Sequence, residues 1–387
     1  MKRASAVFLI LVIILSAVML SGCSESRRPE PEKRAELDLN RRKYPVYHSL
    51  DEEGKRIYGL LYNAMISQTQ ADVSIGTYAS REEMEEAEEW IDENFRQIVY
   101  EQPDFFWIDP YTYTLNEMES VGQFSLSVSL SYLVDTDNIP EMKERYDERV
   151  SDIVEEAKKQ SGVFDRVLYV YDEILLGAEY DESLLDGDES TVELTAYGCL
   201  VEGRTVCSGY TLAFVSVMQK LNIECGSEFN SYEDFSIIDG HVWNYCKLDD
   251  EYYYFDLTWD DSIFDAEEYK PYLDFAHSYF AVNEDQLVKT NFTMQSDAPT
   301  PDCNGTRYNY FVYKGANVSE YEPDIVREMI EAQADEKYIA LRFDSYSELL
   351  EAETDLMKNS KIYDILGADN ISYVITDDCL HMYIFAK

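Results

Sequence analysis

The chain has 387 residues, and its 77 Asp and Glu outnumber 32 Lys and Arg, giving a formal net charge of −45. This imbalance argues against general nucleic-acid binding and against docking on an anionic membrane through a basic patch, because both depend on Lys and Arg. Hydrophobic residues make up 45% of the chain and aromatic residues 14%. This content is sufficient for a hydrophobic core and excludes a chain that is disordered throughout.

Residues 1–22 have the features of an export signal. Two cationic residues precede an almost purely apolar run at 6–20. The run ends in Leu20-Ser21-Gly22-Cys23, which resembles a bacterial lipobox. That resemblance implies a lipid on Cys23 and attachment of the chain to the bacterial cell membrane. The alternative is an uncleaved anchor helix. Both interpretations place the rest of the chain outside the cytoplasm.

The next two segments differ sharply in composition. Residues 23–45 are polar and charged and predict a flexible tether. Residues 46–160 predict an N-terminal α/β region. Its strictly alternating stretch 123–133 indicates a half-buried strand, and helices are predicted around 57–64, at 82–99 and at 142–159.

The remaining chain predicts two further domains, so that the whole belongs to the α+β class. Residues 161–290 form a central domain that begins with a helix at 164–176 and contains an ordinary solvated loop at 186–190. Residues 305–387 predict a small C-terminal α/β domain. Its strands are predicted at 308–313, 338–343, 371–375 and 382–385, and its helices at 324–334 and 346–357.

One cysteine of the central domain stands at a predicted helix start. The sequence Gly203-Arg204-Thr205-Val206-Cys207-Ser208-Gly209-Tyr210 precedes apolar residues at helical spacing up to Leu221. A cysteine at a helix N-terminus is favoured as a thiolate, because unpaired N–H groups and the positive end of the helix dipole lie there. The same N–H groups are suited to form an oxyanion hole.

Two later motifs predict a β-hairpin. His241 opens a strand that runs to Leu248, and a returning strand covers 252–260, with a two-residue turn between them. This register pairs Leu248 with Glu251, Trp243 with Asp256, and His241 with Thr258. His241 and Asp256 then share one face as diagonal neighbours, within side-chain reach. A slip of one residue would separate them.

The three side chains match the needs of nucleophilic thiol catalysis. Such chemistry requires a thiolate, a general base and a group that orients the base. Cys207, His241 and Asp256 supply these in order, and His241 is suited because its ordinary pKa lies near neutrality. Trp243 and Trp259 either shape a substrate groove or pack in the core, and Asn244 and Thr258 are expected to brace the hairpin.

These three motifs, in this order, resemble the transglutaminase-like superfamily of papain-fold cysteine enzymes. The resemblance covers about 165–285 and implies Cys207 as nucleophile, His241 as base and Asp256 as orienting acid. That family includes protein cross-linkers, deamidases and peptidases, so the resemblance does not choose the reaction. It does not extend to 46–160 or to 305–387.

The other cysteines and histidines give weaker signals. Cys225 and Cys246 are expected to be packing cysteines or a disulfide pair, and Cys199 is the nearest in sequence to Cys207. No Cys or His spacing typical of a zinc site occurs, and no cofactor is expected. The histidines at 48, 277 and 381 are expected to be ordinary surface or hydrogen-bonded side chains, and Arg204 a solvated loop residue.

The sequence therefore predicts an exported, lipid-anchored cysteine enzyme. It would act on amide groups of a protein or peptide, including cell-envelope material, through a thioester on Cys207. The expected partners are that substrate and the membrane, through the lipid on Cys23, with no nucleic acid. The alternative is a non-catalytic cell-surface binding module that uses the same fold, since the flanking regions carry no catalytic signature.

Overall fold

The computed structural model describes residues 28–120, 122–185, 191–230, 240–262, 277–288, 300–376 and 379–386. The predicted signal peptide, Cys23 and the predicted loop 186–190 lie outside these described residues. The chain forms two compact units. The first comprises the described residues up to Leu39 and those within Tyr47–Val99 and Ile108–Tyr132. The second comprises Asn40–Val46, Tyr100–Trp107 and the described residues from Leu133 onward.

The first unit is built on an antiparallel sheet in the order β1-β3-β2. Its strands are β1 (Val73–Tyr78), β2 (Ile108–Ser120) and β3 (Gln123–Tyr132). The apolar positions predicted near 57–64 are buried on helix Glu52–Ser67, and the predicted acidic helix is Arg81–Tyr100. Asp51 begins helix Glu52–Ser67 by accepting a hydrogen bond from the Gly54 N–H at 2.8 Å.

The predicted tether is folded over part of its length. Residues Arg34–Leu39 form a helix, and the side chains of Leu37 and Tyr44 are buried. A further short helix, Pro45–Ser49, follows. The structure thus corrects the extent of the tether, because these few apolar residues among many charged ones provide enough buried surface to fix the backbone.

The central part of the second unit packs helices against a three-stranded antiparallel sheet in the order β6-β7-β8. The strands are β6 (Cys225–Asn230), β7 (His241–Leu248) and β8 (Glu251–Phe255). The main helices are Ile139–Ala157, Val163–Gly177 and Cys207–Lys220. A short parallel pair, β4 (Glu179–Tyr180) with β5 (Arg204–Thr205), leads into the last helix. Shorter helices at Leu257–Ser262 and Glu284–Val288 complete this part.

Helix Ile139–Ala157 belongs to the second unit, although the sequence analysis assigned residues up to 160 to the N-terminal region. Its buried side includes Tyr146, whose hydroxyl lies 2.6 Å from Oγ of Ser216 in helix Cys207–Lys220. The few apolar positions of this charged helix are therefore part of the core of the second unit.

The C-terminal residues form a sheet in the order β11-β12-β10-β9, with their own apolar core. Its strands are β9 (Asn317–Val318), β10 (Ile339–Phe343), β11 (Ile371–Thr376) and β12 (His381–Ala386). Its α-helices are Tyr310–Tyr313, Pro323–Ala332, Tyr346–Ala352 and Lys361–Leu366, and a π-helix, Glu353–Lys358, follows the third. These residues belong to the same compact unit as the central domain.

The strand predicted at 308–313 is wrong, since Tyr310–Tyr313 is a helix. The side chain of Asn309 accepts hydrogen bonds from the N–H groups of Phe311 and Val312. This N-cap satisfies backbone donors that a strand would have paired elsewhere, and it outweighs the β propensity of the aromatic residues.

Candidate active site

Cys207 is the first residue of helix Cys207–Lys220, as the sequence predicts. It follows an extended residue, Val206, so Cys207 belongs to the first turn of the helix, together with the first N–H groups. Those N–H groups have no carbonyl four residues earlier to bond, and they are donors for a developing negative charge. The Cys207 side chain is partly exposed, in contrast to the buried residues Ser208–Gln219 that follow it.

The structure shows why the motif around Cys207 has a glycine at position 209. A Cβ added there would lie 1.8 Å from Oγ1 of Thr205 and 2.9 Å from the carbonyl oxygen of Thr195. Only glycine therefore allows the helix start to approach these two residues. The Thr205 hydroxyl is itself held, since it donates to the carbonyl oxygen of Glu193 at 2.7 Å.

Helix Cys207–Lys220 and strand β7 are joined by two polar side chains. The Thr211 hydroxyl donates to the carbonyl oxygen of Val242 at 3.1 Å, and the Asn244 amide donates to the carbonyl oxygen of Thr211 at 3.1 Å. Asn244 also donates to the carbonyl oxygen of Gly226 in β6 at 3.3 Å. Asn244 thus braces the elements that carry Cys207 and His241, in the bracing role expected for it.

The hairpin brings His241 and Asp256 together. Strands β7 and β8 pair Leu248 with Glu251 and Asn244 with Phe255, which is the predicted register. Nε2 of His241 lies 2.6 Å from Oδ2 of Asp256. Asp256 is fully buried, whereas 17% of the His241 side chain is exposed. The imidazole is therefore held by a buried carboxylate and remains partly exposed.

The predicted pairing does not continue to Trp243 with Asp256 or to His241 with Thr258. Strand β8 ends at Phe255, and a helix begins at Leu257. Oδ1 of Asp256 accepts a hydrogen bond from the Trp259 N–H at 3.1 Å, an N-cap arrangement that turns the chain out of the sheet. Both oxygens of Asp256 are thereby occupied, one by His241 and one by the helix start.

The His241 imidazole also interacts with Cys207. Burial disfavours the charged ring, but the charge of Asp256 and its hydrogen bond, together with a hydrogen bond to Cys207 and its charge, raise the pKa of His241 to about 10. Because Nε2 faces Asp256, Nδ1 is the nitrogen left for Cys207. The structure thus brings all three predicted residues together, with His241 in the middle.

Aromatic rings surround His241. Trp243 stacks on it with ring centroids 5.6 Å apart and planes 24° apart, and Trp259 meets it edge-on at 6.2 Å. Trp243 is buried, so it belongs to the core, whereas Trp259 is 39% exposed. Trp259 therefore offers an accessible apolar surface next to the base.

Two functional neighbours were missed by the sequence analysis. The Tyr171 hydroxyl donates to the carbonyl oxygen of Asp256 at 3.0 Å and to Oδ2 of Asp260 at 2.5 Å. Oδ1 of Asp260 accepts from the N–H groups of Ser278 and Tyr279, and burial raises the pKa of this carboxyl well above its usual range. Asp260 belongs to the predicted motif, but Tyr171 lies far away in sequence, and no local pattern indicates the contact.

Tyr180 is a third neighbour of the site. Its strand β4 pairs with β5, two residues before Cys207, and Tyr180 pairs with Thr205. Burial, the negative charge of Cys207 and further acidic neighbours raise the pKa of the Tyr180 phenol to about 12. The neutral hydroxyl is therefore retained beside the thiol at neutral pH. In sequence this tyrosine had no distinguishing feature among many others.

The other cysteine, histidine and arginine candidates are buried or have hydrogen-bond or ion-pair partners outside the Cys207–His241–Asp256 site. Cys199 is buried, which raises the pKa of its thiol. His48 lies 3.0 Å from the carbonyl oxygen of Leu37, and His277 lies 2.8 Å from Asp172. The third, His381, lies 2.9 Å from the Ser278 hydroxyl. The Arg204 side chain is 51% exposed and forms an ion pair with Asp181.

Comparisons with known proteins agree with the motif analysis. Residues 148–257 match the family model of the transglutaminase-like superfamily, and the matched range contains Cys207, His241 and Asp256. The chain therefore contains a transglutaminase-like domain within a fold of mixed helices and sheets. A comparison with curated proteins finds no significant match.

Two solved structures show only a weak likeness. A structure described as that of a TGase is 12% identical, with a TM-score of 0.26, and the match covers 37% of this chain and 44% of the other. A protein described as a candidate cysteine protease from Cytophaga hutchinsonii is 16% identical, with a TM-score of 0.24, and the match covers 38% of this chain and 62% of the other. The chain thus spans less than two thirds of either structure, and such scores carry no argument.

Proposed function

We propose that the transglutaminase-like domain is a cysteine enzyme that acts on amide groups of proteins or peptides through a thioester on Cys207. One observation carries this proposal. The His241 imidazole lies 2.6 Å from the buried carboxylate of Asp256 and also interacts with Cys207. A thiol, a base and an orienting acid in contact are what nucleophilic thiol catalysis requires.

In the acylation step, the Cys207 thiolate attacks the carbonyl carbon of the amide. N–H groups at the start of helix Cys207–Lys220 would stabilise the oxyanion that develops. The C–N bond then breaks, and His241 transfers its proton to the leaving nitrogen, which departs as ammonia or an amine. The high pKa of His241 keeps the ring protonated before this step, so the proton is in place.

In the second step, an amine or a water molecule attacks the thioester. Neutral His241 accepts the proton of the attacking group, and Cys207 leaves as the thiolate, which restores the starting state. An amine gives cross-linking, whereas water gives deamidation of a glutamine side chain or cleavage of a peptide bond. Trp259 is the exposed aromatic surface on which an apolar part of either reactant can pack.

We further propose that the chain is exported and attached to the cell membrane through a lipid on Cys23. The apolar run at 6–20 and the following Leu20-Ser21-Gly22-Cys23 support this proposal. In the part of the chain that the structure describes, no helix has the length and apolar character needed to cross a bilayer. Cell-envelope proteins or peptides are the substrates that such a location would present.

The first test measures the reactivity of Cys207 with iodoacetamide at neutral pH, residue by residue, by mass spectrometry. Cys379 is also partly exposed and serves as the reference thiol within the same chain. We expect Cys207 to be labelled at least about tenfold faster than Cys379, and His241→Ala to remove this difference without changing Cys379. Equal rates for the two cysteines in the unmodified protein would contradict the proposal.

The second test seeks the covalent intermediate. The protein is incubated with a library of glutamine-containing peptides, with and without an added primary amine, and its intact mass is then measured. We expect an acyl adduct on Cys207 that is lost when the amine is added, and no adduct on Cys207→Ala. A peptide that binds the unmodified protein and Cys207→Ala equally, without any adduct, would instead identify a binding module.

A further inference from the structure

Cys225 and Cys246 lie directly opposite each other on strands β6 and β7. Directly opposed residues of an antiparallel pair project their side chains from the same face of the sheet. Both cysteines are buried, and the two thiols are close enough to share a hydrogen bond. Burial, followed by the contact with Cys246, raises the pKa of the Cys225 thiol well above its usual range.

The hydrogen-bond pattern shows which kind of cross-strand pair this is. The neighbouring pair, Glu224 with Lys247, is joined by a backbone hydrogen bond of 2.8 Å from the Lys247 N–H. Because bonded and non-bonded pairs alternate along an antiparallel ladder, Cys225 and Cys246 form a non-hydrogen-bonded pair. In such pairs the Cα atoms are about 4.5 Å apart, which falls within the range of about 4.4–6.8 Å that a disulfide spans.

We propose that Cys225 and Cys246 form a disulfide that joins β6 to β7 in the mature protein. Cys207 must remain a thiol for the proposed chemistry, but the disulfide does not depend on that function. The disulfide would form in any compartment that supplies a disulfide oxidant, such as the one that the protein would reach by the proposed export.

The bond forms by two exchange steps with a small-molecule or protein disulfide. One cysteine thiolate attacks the oxidant, which forms a mixed disulfide and releases one thiol. The second cysteine thiolate attacks the mixed disulfide, which closes the Cys225–Cys246 bond and releases the second thiol. The two protein thiols lose their protons, and the oxidant is reduced to two thiols. Since both cysteines are buried in the folded sheet, the exchange takes place while β6 and β7 are pairing.

The bond would act on the strand that carries the catalytic histidine. Strand β7 begins at His241 and contains Cys246 further along, while Asn244 between them already bonds to β6 and to helix Cys207–Lys220. A disulfide closing the loop between 225 and 246 restricts the unfolded chain and so stabilises the folded sheet. The disulfide would thereby stabilise the strand on which His241 lies.

The experiment uses the mature chain carrying Cys207→Ala, so that no reaction at the catalytic thiol interferes. The protein is refolded in a buffer of oxidised and reduced glutathione, its remaining thiols are blocked with N-ethylmaleimide in denaturant, and its peptides are mapped without reduction. We expect one linked pair, containing Cys225 and Cys246, that is lighter than the two thiol peptides by two hydrogen atoms. N-ethylmaleimide on both cysteines in the folded, soluble protein would overturn the proposal, as would Cys225 or Cys246 linked to any other cysteine.

Thermal unfolding provides a second measurement. We expect dithiothreitol to lower the Tm of the oxidised protein by several degrees. The Cys225→Ala/Cys246→Ala double variant should have a Tm that does not respond to dithiothreitol, whereas Cys199→Ala, which alters a buried cysteine elsewhere, should respond like its parent. An equal response of the double variant and its parent would count against the disulfide.

Discussion

The hydroxyl of Tyr171 lies 2.5 Å from Oδ2 of Asp260 and 3.0 Å from the carbonyl oxygen of Asp256. Asp260 in turn accepts hydrogen bonds from the N–H groups of Ser278 and Tyr279, so one buried tyrosine connects a helix, the candidate catalytic acid and the segment that begins at residue 277. His241 and Cys207 touch the reacting atoms in the proposed reaction. Tyr171 and Asp260 are positioning residues, because they act on the geometry of Asp256.

The first prediction concerns this pair. Tyr171→Phe keeps the ring but removes the hydroxyl, leaving the buried Oδ2 of Asp260 without one of its hydrogen-bond partners. We expect the free energy of unfolding to fall by about 1–3 kcal/mol, as is typical of a buried polar group that loses its partner. Chemical denaturation measures this difference. The control is Tyr363→Phe, at a tyrosine that is 39% exposed, and it should change stability by less than about 0.5 kcal/mol. Equal effects of the two variants would contradict the role of Tyr171.

The second prediction follows from the raised pKa of His241. An unfolded histidine has a pKa of about 6.5, whereas His241 in the folded protein has a pKa of about 10. The resulting stabilisation is therefore complete below about pH 6.5 and is lost as the pH rises through about 10. Asp256→Asn removes the charge that raises the pKa of His241, while the amide oxygen still accepts from the Trp259 N–H.

Unfolding measured at several pH values tests this linkage. We expect Asp256→Asn to be less stable than the unmodified protein near about pH 6, and the difference to shrink as the pH approaches about 10. The comparison between the two proteins cancels the other groups that titrate in this range. A difference in unfolding free energy that stays constant from about pH 6 to about pH 10 would show that Asp256 does not raise the pKa of His241.

The hairpin illustrates how far local sequence patterns determine the site. The even turn length between Leu248 and Glu251 fixes the register as far as Asn244 and Phe255. Asp256 follows directly after this pairing, and its Oδ2 lies 2.6 Å from Nε2 of His241. The same reasoning extended β8 too far, because it did not include the bond from the Trp259 N–H to Asp256 that starts a helix. Side-chain capping therefore set the end of the strand.

Other features depend on contacts that are distant in sequence. Tyr171 and Asp260 are 89 residues apart, and no period or motif connects them. Tyr180 reaches the site only because β4 pairs with β5 just before Cys207. In contrast, the start of helix Cys207–Lys220 was predictable, since its apolar spacing and the glycines of its motif are local properties.

The third prediction concerns Gly209. In Gly209→Ala the new methyl group would meet Oγ1 of Thr205 and the backbone oxygen of Thr195, so the helix start must shift. We expect a loss of about 1–3 kcal/mol in unfolding free energy and slower labelling of Cys207 by iodoacetamide. Gly177→Ala is the control, because its Cβ would meet only the far end of the Arg149 side chain, at 3.2 Å. Unchanged stability and labelling in Gly209→Ala would refute this account of the motif.

The fourth prediction separates the binding of substrate from the reactivity of the thiol. Trp259 is 39% exposed and its ring meets the His241 ring at 6.2 Å, whereas its backbone N–H, which donates to Asp256, is retained in Trp259→Ala. Trp259→Ala should therefore leave the labelling of Cys207 by iodoacetamide within about threefold of the unmodified rate, because this small reagent needs no aromatic surface. The rate of acylation by a reactive peptide identified from the library should fall by about tenfold or more, mainly through a higher KM.

Tyr346→Ala, at a tyrosine that is 49% exposed in the C-terminal residues, should change neither rate. A parallel loss of both rates in Trp259→Ala would mean that the tryptophan maintains the catalytic geometry rather than binding the substrate.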